Sequence, residues 1–186
     1  GKLSLDDPLT KFVPGYPGGE RVTVRMLLNH TSGLRSYTDV PGVMTGTPIM
    51  RDVTTAELID TFKAEKPDFA PGEGWHYNNS GYVLLGAVIE AASGKPWHVY
   101  LDETFFKPLG MRHTRYGNQR ERVIPGHVDG YTFNEDHWAR AGYLSRTQPH
   151  AAGALVSTVD DLLTWNRALH EGKVLLNRCR DANNGE

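Results

Sequence analysis

The chain has 186 residues, with 20 basic and 22 acidic side chains and a formal charge of −2. That length fits one domain or one large piece of a two-part fold, and the even mixing of charge excludes a basic nucleic-acid stripe and an acidic disordered tail. A single cysteine, Cys179, excludes an internal disulfide framework, and no apolar run reaches the ~18 residues of a membrane-spanning helix.

In chain order, Gly1-Lys2-Leu3-Ser4-Leu5-Asp6-Asp7 carries neither an initiating Met nor a signal-peptide pattern. It reads as a helix end running into a turn, so the chain is expected to begin inside a longer protein. Pro8, Pro14, Gly15, Pro17, Gly18 and Gly19 then mark an irregular surface connection. Thr23 before Val24, Met26, Leu27 and Leu28 predicts a short helix over 24–30, ending before Gly33. Residues 35–53 read as loop. Thr54 with Glu57 forms a capping box, opening a helix that puts Leu58, Ile59 and Phe62 on one face and stops before Pro67. Ser80 is positioned to cap a helix over 81–92, in which Val83, Leu84, Ala87, Val88 and Ala91 make a broad apolar stripe. Gly94 suits the left-handed position that ends it, and Pro96 suits the first turn of a helix over 96–106. Residues 108–150 lack helical periodicity and leave room for short strands near 123–133 and 138–144. Thr158 with Asp161 resembles a second capping box, opening a helix over 159–169 that stops near Gly172. The polar tail from Asn177 onward is expected to fray. No βαβ alternation is present, which argues against a doubly wound sheet.

The chemistry concentrates in Pro71-Gly72-Glu73-Gly74-Trp75-His76-Tyr77-Asn78-Asn79-Ser80-Gly81-Tyr82. Tyr77 and Asn79 are two apart in a non-helical approach to a helix, and in an extended segment such side chains point the same way. A phenol titrates near ~10, so it serves as a base near neutrality only beside a cation brought from elsewhere. Read blandly, the pair is a packed Tyr and a turn-forming Asn. His30-Thr31-Ser32-Gly33 sets a Ser near a His, but no G-x-S-x-G turn surrounds Ser32, and a helix-ending His is the simpler reading. The eight histidines form neither H-E-x-x-H nor a finger spacing with cysteine. The glycines match no phosphate-binding loop. Neither a metal nor another cofactor is therefore expected. Trp138, beside Arg140 and Tyr143, is the candidate cleft wall.

Several segments together resemble the serine β-lactamase-related family, in its class C β-lactamase, DD-peptidase and esterase branch. They are residues 1–8, the helix end Leu27-Leu28-Asn29-His30-Thr31-Ser32-Gly33-Leu34, and Phe69-Ala70-Pro71-Gly72 followed by the Y-x-N triplet Tyr77-Asn78-Asn79. Pro108-Leu109-Gly110-Met111 with Thr114 follows, then Ala152-Gly153-Ala154-Leu155 through Ser157-Thr158 and Asp161-Leu162. The likeness runs in order over residues 1–172 and leaves 173–186 as a divergent polar tail. It implies an α+β, mostly helical fold: the helical region of the β-lactamase/transpeptidase-like fold, with most of the antiparallel sheet missing.

The resemblance also implies a mechanism. A Ser in an S-x-x-K motif attacks a carbonyl and forms an acyl-enzyme, while the Lys and the Y-x-N Tyr handle the proton. Tyr77 is then the catalytic residue and Asn79 binds substrate, while Trp138 is a substrate-binding candidate only from its place beside Arg140 and Tyr143. No Ser here has a Lys three residues on, and no K-T-G follows the last matched helix. The nucleophile is therefore expected before Gly1 and the closing strand after Glu186. The implied parent is a serine hydrolase acting on a β-lactam, a D-Ala peptide or a small ester. The implied partner is a small-molecule or peptide substrate with an amide or ester carbonyl, with no nucleic acid. The alternative is a truncated, non-catalytic relative serving as a binding or scaffold module, or an inactive fragment. Apolar surface left without its sheet is expected to drive self-association. The compartment stays open between cytoplasm, periplasm and exterior.

Overall fold

The computed structural model describes residues 2–118 and 123–174. Short helices α1 (Val24–Leu28) and α2 (Thr55–Asp60) flank the long helix α3 (Asn79–Ser93), followed by α4 (Trp97–Leu101) and α5 (Lys107–Leu109). Strand β1 (Arg115–Tyr116) precedes the hairpin β2 (Tyr131–Asn134) and β3 (His137–Arg140). Helix α6 (His150–Gly153), strand β4 (Leu155–Val156) and helix α7 (Val159–His170) complete the order. Strand β1 pairs antiparallel with β4, and β2 with β3, with Phe133 opposite Trp138.

Local chemistry explains most element boundaries. The Thr23 hydroxyl accepts from the Met26 N–H and starts α1. This helix closes sooner than the expected residue 30. His30 adopts φ +63°, and the Thr31 N–H reaches back to the Met26 carbonyl at 3.0 Å. That six-to-one bond with a left-handed residue before it is a Schellman ending, in which His30 holds the position glycine usually takes. The Thr54–Glu57 capping box forms as expected. Over 35–53, where a loop was expected, two 3-10 turns form at Tyr37–Asp39 and Thr47–Met50. The cap of α3 is Asn78, not Ser80: its side-chain oxygen accepts from Gly81 N–H, so the helix begins two residues earlier. Gly94 ends it at φ +74°.

The single helix expected over 96–106 divides. After α4 the backbone widens into a π-turn over Asp102–Phe106 before α5. Pro108 supplies no N–H, and its ring crowds the carbonyl four residues back, which favours the wider turn. Of the second expected capping box only half is made. Thr158 accepts from Asp161 N–H, whereas the Asp161 carboxylate instead accepts from His113 N–H and the Thr114 hydroxyl. The strands expected near 123–133 and 138–144 reduce to the four-residue arms of the hairpin.

Helix α3 is the axis of the core and packs against α1, α2, α4 and α6. Val83, Leu84 and Val88 interlock with Leu9, Val22, Leu27, Tyr37, Leu58 and Phe62, all buried. Helix α6 crosses α3 closely at Gly86. A Cβ there would lie 2.7 Å from His150 and 2.8 Å from Ala151. Among the described residues no helix is long and apolar enough to cross a membrane.

Candidate active site

The N-terminus of α3 is fixed by three neighbouring segments. Buried Asn78 donates its amide to the Leu34 carbonyl while capping the helix. The Asn79 N–H donates to the Ser36 hydroxyl at 3.2 Å, and the Asn79 side-chain amide donates to the Thr38 hydroxyl at 3.2 Å. The Ser80 hydroxyl accepts from Tyr37 N–H at 2.8 Å. Tyr37, buried beneath, donates its hydroxyl to the Gln148 carbonyl, and burial pushes its phenol up to about 12. The turn Ser36–Thr38 is thus bolted to the first turn of α3, and Asn79 cannot swing freely.

Tyr77 stands immediately before this anchored turn and is 55% exposed. Among the described residues its hydroxyl has no hydrogen-bond partner. Its ring lies 4.8 Å from the His30 imidazole, which also stacks on Tyr82 at 5.2 Å and meets Trp75 edge-on at 6.1 Å. Two backbone bonds join the same segments: His76 N–H to the His30 carbonyl at 3.1 Å, and Gly72 N–H to the Thr31 carbonyl at 2.8 Å. A charged cluster lies alongside. Asp68 accepts from Arg35 at 2.8 Å and contacts His76 Nδ1 at 3.0 Å. Partial burial pushes the Asp68 carboxyl up, but its bonds to Arg35 and His76 outweigh this and hold it below its usual range.

Tyr77 and Asn79 thus flank the cap of α3, the Tyr with an open hydroxyl and the Asn with its amide N–H directed at Thr38. Trp138 is on the separate β2–β3 hairpin, 70% exposed, with its ring edge against Phe133 at 5.2 Å. Among the described residues no hydrogen bond or ring contact links it to Tyr77 or Asn79. A cavity of about 660 Å³ opens elsewhere, lined by residues such as His98, Asp102, Lys107 and Tyr116. Sequence reasoning did not single out Asn78, Ser36 or Thr38, and it took His30 as only a helix end. An Asn three residues before Gly81 was an available signal for the cap. The contacts of His30 depend on segments about 45 residues away and left no local trace. Ser32 is buried, with its hydroxyl turned to Leu34 N–H.

Solved structures share this arrangement of helices. A D-stereospecific amidohydrolase from Streptomyces sp. superposes with a TM-score of 0.83 at 34% identity, over 94% of this chain and 56% of that one. The fold is thus the β-lactamase/transpeptidase-like one over the part compared. The beta-lactamase family model matches residues 1–182, and the chain belongs to that family. A penicillin-binding protein of Bacillus subtilis (strain 168) is 29% identical over 208 residues, covering 100% of this chain and 45% of that protein. The esterase EstB of Burkholderia gladioli is 37% identical over 145 residues, covering 70% of this chain and 36% of the esterase. The chain spans about half, or less, of the length of these relatives.

Proposed function

We propose that this chain supplies the proton-transfer side of a serine acyl hydrolase that acts on an amide or ester carbonyl. The observation that carries the reading is the open Tyr77 hydroxyl beside Asn79, at a helix start fixed by Asn78, Ser36 and Thr38. The names of the related proteins, an amidohydrolase, an esterase and a penicillin-binding protein, support a carbonyl substrate of that kind.

In this reading a Ser with a Lys three residues on comes from outside these 186 residues. As the Ser oxygen bonds to the carbonyl carbon, its proton is taken up by the Tyr77–Lys pair. The proton then goes to the leaving amine or alkoxide as its bond to the carbonyl breaks. In the same reading the Asn79 side-chain oxygen accepts from a substrate N–H or from that Lys. Trp138 is assigned to the wall of the substrate cleft, through the hairpin that carries it.

The test is Tyr77→Phe in the full-length protein that carries this chain. Turnover should fall about 100-fold or more, the usual scale for a general acid–base group, with an unchanged circular dichroism spectrum. Undiminished turnover would end the assignment. As a control, the 186-residue chain alone should form no covalent adduct with a β-lactam or a fluorophosphonate. An adduct seen by mass spectrometry would locate the nucleophile inside it.

A further inference from the structure

His30 is a large residue in a backbone position that suits glycine. Non-glycine residues with positive φ are uncommon, and those that persist are held by their surroundings. Here three consecutive residues of the Tyr77 segment are gripped by this one side chain and its carbonyl. The His30 carbonyl accepts from His76 N–H at 3.1 Å. Its Nδ1 accepts from Asn78 N–H at 3.2 Å. Its ring lies 4.8 Å from that of Tyr77 and 5.2 Å from that of Tyr82. An amide N–H can bond Nδ1 only if that nitrogen carries a lone pair, so the neutral ring must hold its proton on Nε2. Glycine would satisfy the Schellman turn and provide neither the acceptor nor the ring.

We infer that His30 is a positioning residue for Tyr77: its Nδ1 lone pair and ring face fix the direction of the phenol from the end of α1. The inference rests on the reading of Tyr77 as the proton-transfer group. His30 itself touches no reacting atom. It acts by confining the phenol, which matters because small misplacements of a reacting group are costly in rate.

Two measurements test it. In the 186-residue chain, imidazole 15N shifts should show His30 with an unprotonated Nδ1 and Nε2–H, with a coupling from the Asn78 amide to Nδ1. A neutral His30 protonated on Nδ1 would overturn the proposal whatever the chemistry of Tyr77.

In the full-length protein, His30→Leu should lower kcat between about 10- and about 100-fold with KM little changed. His30→Asn places an oxygen where Nδ1 was and tolerates positive φ. It should restore most of the loss, which also guards against a Leu variant that merely unfolds. In a Tyr77→Phe background either substitution should change kcat by less than about twofold, because groups acting as a unit are not additive. Fully additive losses, or a rise in KM at constant kcat, would show that His30 does not act through Tyr77. Should Tyr77→Phe itself leave turnover intact, the Tyr77 assignment fails separately, and a kcat loss in His30→Leu would then contradict the positioning role.

Discussion

Asn79 shows how far neighbouring segments can constrain one side chain. Its backbone N–H is held by Ser36 and its amide N–H by Thr38, so the side-chain oxygen is presented in a fixed direction. Asn79→Ala removes that oxygen and a partly exposed bond to Thr38, but leaves the Asn78 cap in place. Activity of the full-length protein should drop at least about tenfold, while the loss of one such hydrogen bond costs only about 1 kcal/mol of stability. Melting curves with turnover measured on the same preparation separate the two. Unfolding of the variant would give Asn79 a structural role instead. Asn78, its neighbour, does the opposite work: only 2% exposed, it presents nothing to solvent and orders everything around it.

Among the elements, α3 depends most on a single residue. Its first turn is capped by the Asn78 oxygen, and the same side chain satisfies the buried Leu34 carbonyl. Asn78→Ala removes a cap, worth about 1 kcal/mol. It also leaves a buried carbonyl unpaired, which costs a further ~1–3 kcal/mol. A loss of about 2–4 kcal/mol in chemical denaturation is expected. Asn78→Asp keeps the cap acceptor but turns a carboxylate oxygen toward the Leu34 carbonyl, so it should also destabilise. A neutral Asp variant would mean that the Leu34 bond contributes little. Helix α6 has a different dependence. His150 is 6% exposed, with φ +45°, its Nε2 meets the Thr55 hydroxyl at 3.1 Å, and among the described residues its Nδ1 has no hydrogen-bond partner. It thereby ties α6 to the start of α2 across the Gly86 crossing of α3.

At the scale of the whole molecule that histidine sets a pH dependence. Burial, with nearby His98 adding to it, lowers the His150 imidazole from 6.5 to about 4. The unfolded chain takes up a proton below pH 6.5 and the folded chain not until about 4, so stability rises with pH across that window. Its contribution is intact above pH 6.5 and is lost as pH falls toward 4, a loss of about 3 kcal/mol. His150→Asn, which accepts the left-handed backbone, should be weaker at pH 7 yet show a flatter slope of denaturation midpoint between pH 6.5 and pH 4. An unaltered slope would assign the dependence to other groups.

The outer face of α7 leaves Val159, Leu162 and Leu163 exposed, 82%, 56% and 46% respectively. A second apolar surface lies between Leu3, Leu5 and the flank of α3 at Leu85 and Ile89. Soluble monomers seldom leave such surfaces open without consequence. The isolated chain is expected to bind a hydrophobic dye and to sediment as larger species as its concentration rises. A dye-silent monomer with a cooperative melt would show that these faces need no cover. Sequence alone determined the caps at Thr23, Thr54 and Thr158, the apolar stripe of α3 and the Y-x-N triplet, because each depends on residues within one or two turns of one another. Tertiary structure alone decided that the Asn78 side chain also meets the Leu34 carbonyl, that Asp161 serves Thr114 instead of its own helix, and that His30 stands against Tyr77. In each case the deciding partner lies more than 40 residues away, and which of several willing local donors and acceptors a side chain satisfies is settled only when packing brings that partner within hydrogen-bond reach.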